Sequence, residues 1–367
     1  MGLLDSIMGA FSKGGGGSLK RIDVEKRFER SRTAATGTMS NFFVAYDLER
    51  KENVGVKILD PEKYELFESR FKGLNKPSEG EIAMQMKHPL IVKTFEHGIT
   101  AKNQRILVME YIAGAGIQDV IVRKKREVIN GKEMLLMREM AESLAYVHEQ
   151  GFIHRDVCPR NFICTPPKDG EETVSGVRLI DFGLTVPATP PFMAPGNRTG
   201  TPLYMCPEIV RRRATDKRVD VFSLGVTFYC LLTFQHPWQG EIVTGRAALQ
   251  HDTETATPIL ERREDVHPKV ARVITRMIEP NVDNRLPSIK EFLADELGTA
   301  TRMKTVANGS VKLEPATDRH SAFAALESHP TAHRSHGIHH APPPRFPCGL
   351  SRCRIPCFAA NQQSFRG

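Results

Sequence analysis

The chain has 367 residues, 40% apolar and 26% charged, the balance of a soluble globular protein holding one large domain or two ordinary ones. Its net charge of +8 is unevenly spread: nine Lys/Arg and three Asp/Glu lie from Thr299 onward, leaving 42 against 40 in residues 1–298. A body so near neutrality gives no reason to expect a nucleic-acid groove, and no apolar run approaches the ~18–20 residues that would span a bilayer.

Residues 1–23 read as a flexible leader. Leu3, Leu4, Ile7, Met8 and Phe11 fall on one face of a short helix, and Gly14 to Ser18 make a tether. So short a helix is marginal alone, and the functional alternative is a weak membrane or partner association of residues 1–11. From Val24 to Glu52 the pattern is strand-like, most clearly over Phe42 to Tyr46. The turn from Ala35 to Ser40 carries Gly37, and a glycine there lets backbone N–H groups approach a ligand closely. Val54 to Leu59 is a second strand, with Lys57 inside an apolar run, where an ammonium needs a partner.

Pro77 suits a first helical turn. The helix that follows bears Glu79 and Glu81, which point about 200° apart, so only one can face Lys57. Ile106 to Ile112 reads as a buried strand running into the connector Ala113 to Gly116. Met134 to Gln150 repeats apolar residues at Leu135, Met137, Met140, Ala141, Leu144 and Val147, a helical period closed by Gly151.

The chain then reaches His154-Arg155-Asp156-Val157-Cys158-Pro159-Arg160-Asn161, and later Asp181-Phe182-Gly183. Phosphoryl transfer needs a carboxylate for the acceptor's proton, and a second carboxylate with an amide oxygen to hold Mg²⁺ against the phosphates. Asp156, Asp181 and Asn161 supply these in order. Flanking apolar runs, Phe162 to Cys164 and Val177 to Ile180, read as short strands that bring them together. The pattern resembles the catalytic core of the eukaryotic-like (Hanks-type) protein Ser/Thr kinases of bacterial type.

That resemblance spans about residues 24–298 and implies an α+β fold with two lobes. The small lobe (24–110) would be an antiparallel sheet with one helix, and the larger, mainly helical lobe would cover 114–298. ATP would be bound by Gly37, Gly55, Lys57, Glu79, Met109, Glu110, Ile112, Ile163 and Asp181. Lys57 would neutralise the α and β phosphates, and family spacing favours Glu79 over Glu81 as its partner. Met109 would be the gatekeeper, with the backbone of Glu110 and Ile112 meeting the adenine edge. Asp156 would be the base, with Asn161 and Asp181 as metal ligands.

Between Asp181 and Cys206-Pro207-Glu208 lies an activation segment, in which Thr201 resembles Ser/Thr rather than Tyr kinases. Arg155 would pair with a phosphate on Thr189 or Thr199. Asp220 would anchor the catalytic loop, and Glu208 and Arg285 would form a buried ion pair. The sequence departs from the pattern in several places. Only the middle glycine of GxGxxG is kept, Phe42 replaces a Val above the adenine, and Gly55 replaces an Ala. Cys158 replaces a Lys that touches the γ-phosphate, a charge that Arg160 is placed to supply.

Residues 299–367 change character, with six His between His320 and His340, then Pro342 to Pro344 and three Cys. They read as an unstructured basic tail. Seven Cys without CxxC spacing and without a signal peptide point to a cytoplasmic, reducing setting. The expectation is a protein serine/threonine kinase using ATP and Mg²⁺ on Ser/Thr hydroxyls of protein substrates, in signalling with autophosphorylation. The alternative is a pseudokinase, a nucleotide-binding or scaffold module of the same shape.

Overall fold

The computed structural model describes residues 19–36, 40–196, 198–238 and 247–294, with the backbone of 304–305 and 311–312 and without the side chains of 32–36 and 247. The expectations for residues 1–18, for Gly37 and for most of the tail therefore lie outside the described residues. Within 299–367, Lys304–Thr305 pairs antiparallel with Val311–Lys312.

The chain starts with strand β1 (Arg21–Ile22), a single turn α1 (Val24–Arg27) capped by Asp23, and strands β2 (Phe28–Thr36), β3 (Ser40–Asp47) and β4 (Glu52–Leu59). Strands β5 (Thr94–Thr100) and β6 (Arg105–Glu110) complete a six-stranded sheet of order β1-β5-β6-β4-β3-β2. All pairings are antiparallel except β1 with β5. Asp47 locks the β3–β4 turn. It accepts from Glu49 N at 3.0 Å and takes a bidentate pair from the buried Arg27 at 2.9 and 2.6 Å, the strong form of such a contact. The outer face of the sheet (Phe43, Ala45, Val54, Val56, Ile106, Val108) builds a small core under Ile22, Val24 and Phe28.

Two helices join the small lobe. Helix α2 (Pro61–Glu68) follows an Asp60 cap that accepts from Lys63 N at 3.1 Å. Helix α3 (Glu79–Gln85) opens with a capping box: Ser78 Oγ accepts from Glu81 N, and Glu81 Oε2 accepts from Ser78 N at 2.7 Å. Pro77 therefore lies outside the helix rather than in its first turn, because Ser78 takes the capping position.

The large lobe holds α4 (Ile117–Val122), α5 (Glu133–Glu149) and the short β7 (Phe152–Ile153), which pairs with β10 (Val186–Pro187). Strands β8 (Phe162–Thr165) and β9 (Gly176–Leu179) form the hairpin expected from their apolar runs. One-turn helices α6 (Pro190–Met193) and α7 (Pro207–Val210) lie in and after the activation segment, and α8 (Arg218–Thr233), α9 (Pro268–Met277) and α10 (Ile289–Ala294) complete the lobe. From Val219 to Thr233 every residue of α8 is buried, as a helix apolar all round must be. Arg285 clamps Glu208 at 2.7 and 2.9 Å and also donates to the carbonyls of Glu279, Pro280 and Arg218. Among the described residues no helix is long and apolar enough to cross a membrane.

Candidate active site

The catalytic loop is held from below by one carboxylate. Asp220 on α8, fully buried, accepts from His154 N and Arg155 N at 2.8 Å each and pairs with His148 Nε2 at 2.8 Å. Burial alone would raise its pKa; the His148 hydrogen bond and those backbone donors outweigh burial and hold it low. Arg155 adopts a left-handed φ of 66°, a strained conformation that this carboxylate stabilises. It turns the chain so that Asp156 faces the cleft.

Asp156 is gripped from two sides. Thr201 donates to its Oδ1 through both its backbone N (2.9 Å) and its hydroxyl (2.7 Å), and Asn161 Nδ2 donates to its carbonyl oxygen (2.7 Å) and to Oδ2 (3.2 Å). Arg160, exposed on the turn between them, donates Nη2 to Thr201 Oγ1 at 3.0 Å. Cys158 is buried beneath, with Sγ 3.7 Å from the same hydroxyl. Burial, then the Asp156 charge, pushes its thiol up to about 12, so it is neutral where a Lys would be charged. Burial pushes the pKa of Asp156 up.

Across the cleft, Lys57 on β4 reaches Glu79 Oε1 at 2.6 Å and Asp181 Oδ1 at 2.8 Å. Burial opposes the ammonium, but the carboxylates of Asp181 and Glu79 hold its pKa above the ordinary value. Asp181 is held low by Lys57 despite burial and also accepts from Gly183 N at 2.8 Å. Glu81 is engaged in the capping box, so Glu79 is the carboxylate that meets Lys57. Phe182 is buried, with its ring 5.6 Å from that of His154.

Between the lobes, Met109 is a core residue at the end of β6. Glu110 N donates to Lys93 O at 2.8 Å, and Ile112 O accepts from Gly114 N at 2.9 Å. A side chain on Gly114 would meet Cys164 O at 1.7 Å, so only glycine lets the connector lie on β8. Ile163, on β8, is half-buried and bridges to Gly116. In the activation segment Thr189 precedes α6 and its carbonyl accepts from Phe192 N at 3.0 Å, and Thr199 is half-buried. Arg155 is 3% exposed, and its Nε and Nη1 have no hydrogen-bond partner among the described residues.

Residues 28–297 match the protein kinase domain family. The chain belongs to that family. It is 30% identical over 276 residues to serine/threonine-protein kinase PknB of Mycolicibacterium smegmatis, covering 73% of this chain and 42% of that protein. To serine/threonine-protein kinase pkn3 of Myxococcus xanthus it is 27% identical over 266 residues (71% and 47%). To the probable serine/threonine-protein kinase CE0033 of Corynebacterium efficiens it is 30% identical over 288 residues (76% and 40%). The chain spans less than half the length of these relatives.

In this kinase domain three contacts escaped the sequence reading. The Thr201 hydroxyl on Asp156 joins residues 45 apart. Glu139 on α5 accepts from Val177 N at 2.7 Å and so fixes the β8–β9 hairpin. The third is a ring contact between the small lobe and the activation segment, Phe71 to Phe192, with centroids 5.6 Å apart. Only the first left a trace, the Gly200-Thr201-Pro202 stretch; the others depend on tertiary placement.

Proposed function

We propose that this chain is a protein serine/threonine kinase that moves the γ-phosphate of ATP to Ser or Thr hydroxyls of protein substrates. The observation that carries this is the double grip on Asp156 by Thr201 and Asn161, facing a cleft in which Lys57, Glu79 and Asp181 are already joined. Asp156 orients the acceptor hydroxyl and takes its proton. Lys57, aligned by Glu79, draws the phosphates to the cleft wall, and the Glu110 carbonyl and Ile112 N–H meet the base edge. Arg160 brings the positive charge that Cys158 lacks to the Thr201 corner of the site.

The donor set fits Mg²⁺. Asn161 spends its Nδ2 on Asp156, which leaves its amide oxygen as the acceptor to offer beside the Asp181 carboxylate. Among the described residues no cluster of three or more His, Cys, Asp or Glu could hold a metal, and a Mg²⁺ held largely by phosphates and water needs none. When bound, the ion supplies charge neutralisation at the phosphates.

Arg155, buried with two unpartnered nitrogens, supports control by a phosphate on Thr189 or Thr199. Mass spectrometry after incubation with ATP should find one of them modified; no phosphate on either would defeat that part. The described cysteines are free thiols, which fits a reducing cytosol. The acceptor class is tested by phosphoamino-acid analysis of a basic test protein incubated with the chain, ATP and Mg²⁺. Phosphoserine or phosphothreonine is expected. Phosphotyrosine alone would overturn the acceptor, and ATP binding without transfer would make the module a scaffold.

A further inference from the structure

The segment that runs on from Thr201 walls the acceptor side of the cleft, because Thr201 holds the Asp156 carboxylate through its backbone N and its hydroxyl. Pro202–Tyr204 form a single 3-10 turn, closed by Tyr204 N on Thr201 O at 2.9 Å and Met205 N on Pro202 O at 3.3 Å. So short a turn leaves its last carbonyls without partners of its own. Here three consecutive carbonyls are each met by a side chain. His236 Nε2 lies 2.7 Å from Leu203 O, Ser223 Oγ on α8 lies 2.7 Å from Tyr204 O, and His251 Nδ1 lies 2.7 Å from Met205 O.

His251 is the most enclosed of the three. It is fully buried, with its ring stacked on Trp238 (centroids 4.2 Å, planes 29° apart) and 5.6 Å from the ring of Phe222. Trp238 is itself fixed, since its Nε1 donates to Glu254 O at 2.9 Å. The turn that carries His251, Ala247–Asp252, is tied to the end of α7 by Arg211, which grips Asp252 at 3.0 and 2.8 Å. Burial pushes the His251 pKa down to about 4, so the ring is neutral and has one N–H to give. A carbonyl only accepts, which places that proton on Nδ1. The other nitrogen, Nε2, has no hydrogen-bond partner among the described residues.

We propose that His251 is a positioning residue for the protein acceptor: its Nδ1–H fixes Met205 O and so sets the wall along which an acceptor must lie to bring its hydroxyl to Asp156. This rests on the kinase reading above. The hold acts between two anchors, Thr201 on Asp156 and Glu208 on Arg285. None of its atoms belongs to the group of Lys57, Glu79 and Asp181, so the nucleotide end of the cleft is untouched by it. His236 does the same for Leu203 O.

The test measures kcat/KM for a basic test protein at saturating ATP, and direct binding of ATP with Mg²⁺, for the wild type and for His251→Phe, His251→Asn, His251→Gln and His236→Phe. His251→Phe keeps an aromatic ring against Trp238 but leaves a buried carbonyl without its donor, and should lower kcat/KM for the acceptor by about tenfold. His251→Asn places an amide N–H near the position of Nδ1 and should recover most of that loss. His251→Gln places it near Nε2, away from Met205 O, and should not. His236→Phe should show a loss of the same kind. ATP should bind every variant as it binds the wild type, which also reports that each one folds. Unchanged acceptor kinetics in His251→Phe would overturn the inference and leave the kinase reading standing. So would Gln serving as well as Asn, or ATP binding that falls in step with acceptor use. A wild type that binds ATP but transfers nothing would overturn both.

Discussion

Asp156 sits under opposed influences. Burial raises its pKa, and the hydrogen bonds from Thr201 and Asn161 pull it back. A base must be ionised to accept a proton, so kcat/KM should rise with pH through a value above that of an ordinary aspartate. Thr201→Val keeps the backbone N–H but removes the hydroxyl donor. Losing a hydrogen bond to the charged form raises the pKa further, so the acid limb of the pH–rate profile should move to higher pH. A limb that stays in place, or moves to lower pH, would contradict the role given to Thr201. Arg160 is tested by steady-state kinetics. Arg160→Ala should lower kcat by about ten- to a hundredfold, at or below the loss from removing one preorganised charge-stabilising donor, whereas full activity would show that the site needs no charge at the place of Cys158.

At the scale of elements, α3 matters because it carries Glu79 to Lys57. Its start was legible as a helix but its first residue was not, since both Pro77 and Ser78 are good openers and only the reciprocal contact with Glu81 decides between them. Ser78→Ala should cost about 1 kcal/mol in urea unfolding and raise KM for ATP as the helix end frays; an unchanged KM would mean that α3 is held by its packing alone. Helix α2 escaped notice although Asp60-Pro61 is an ordinary start signal. It buries only Phe67, so no apolar period marks it. The hairpin of β8 and β9 and the helix α5 were legible because their apolar runs and spacing are local. The hold of His251 on Met205 O was not, because it joins residues 46 apart. The Glu208–Arg285 pair was expected from the sequence, and the structure adds three carbonyls that hold the guanidinium. Glu208→Gln should destabilise the large lobe by about 3–5 kcal/mol, because it leaves a buried charge without its partner. A loss below about 1 kcal/mol in chemical denaturation would place the pair in a more solvated setting than the structure gives it.

Across the whole molecule, the small-lobe sheet supplies Lys57, α3 supplies Glu79, and the hairpin and loops of the large lobe supply Asp156, Asn161 and Asp181. Residues more than a hundred positions apart meet in contacts as short as 2.8 Å. The order of these groups along the chain carries the resemblance to the protein kinases, and the two lobes were legible in advance because that resemblance implies them. The most direct test is transfer of label from γ-labelled ATP with Mg²⁺ to the chain itself and to a basic test protein, run beside Asp181→Asn. Label with the wild type and none with the variant is the expected result. No label with the wild type while ATP still binds would contradict it and leave a kinase-shaped binding module.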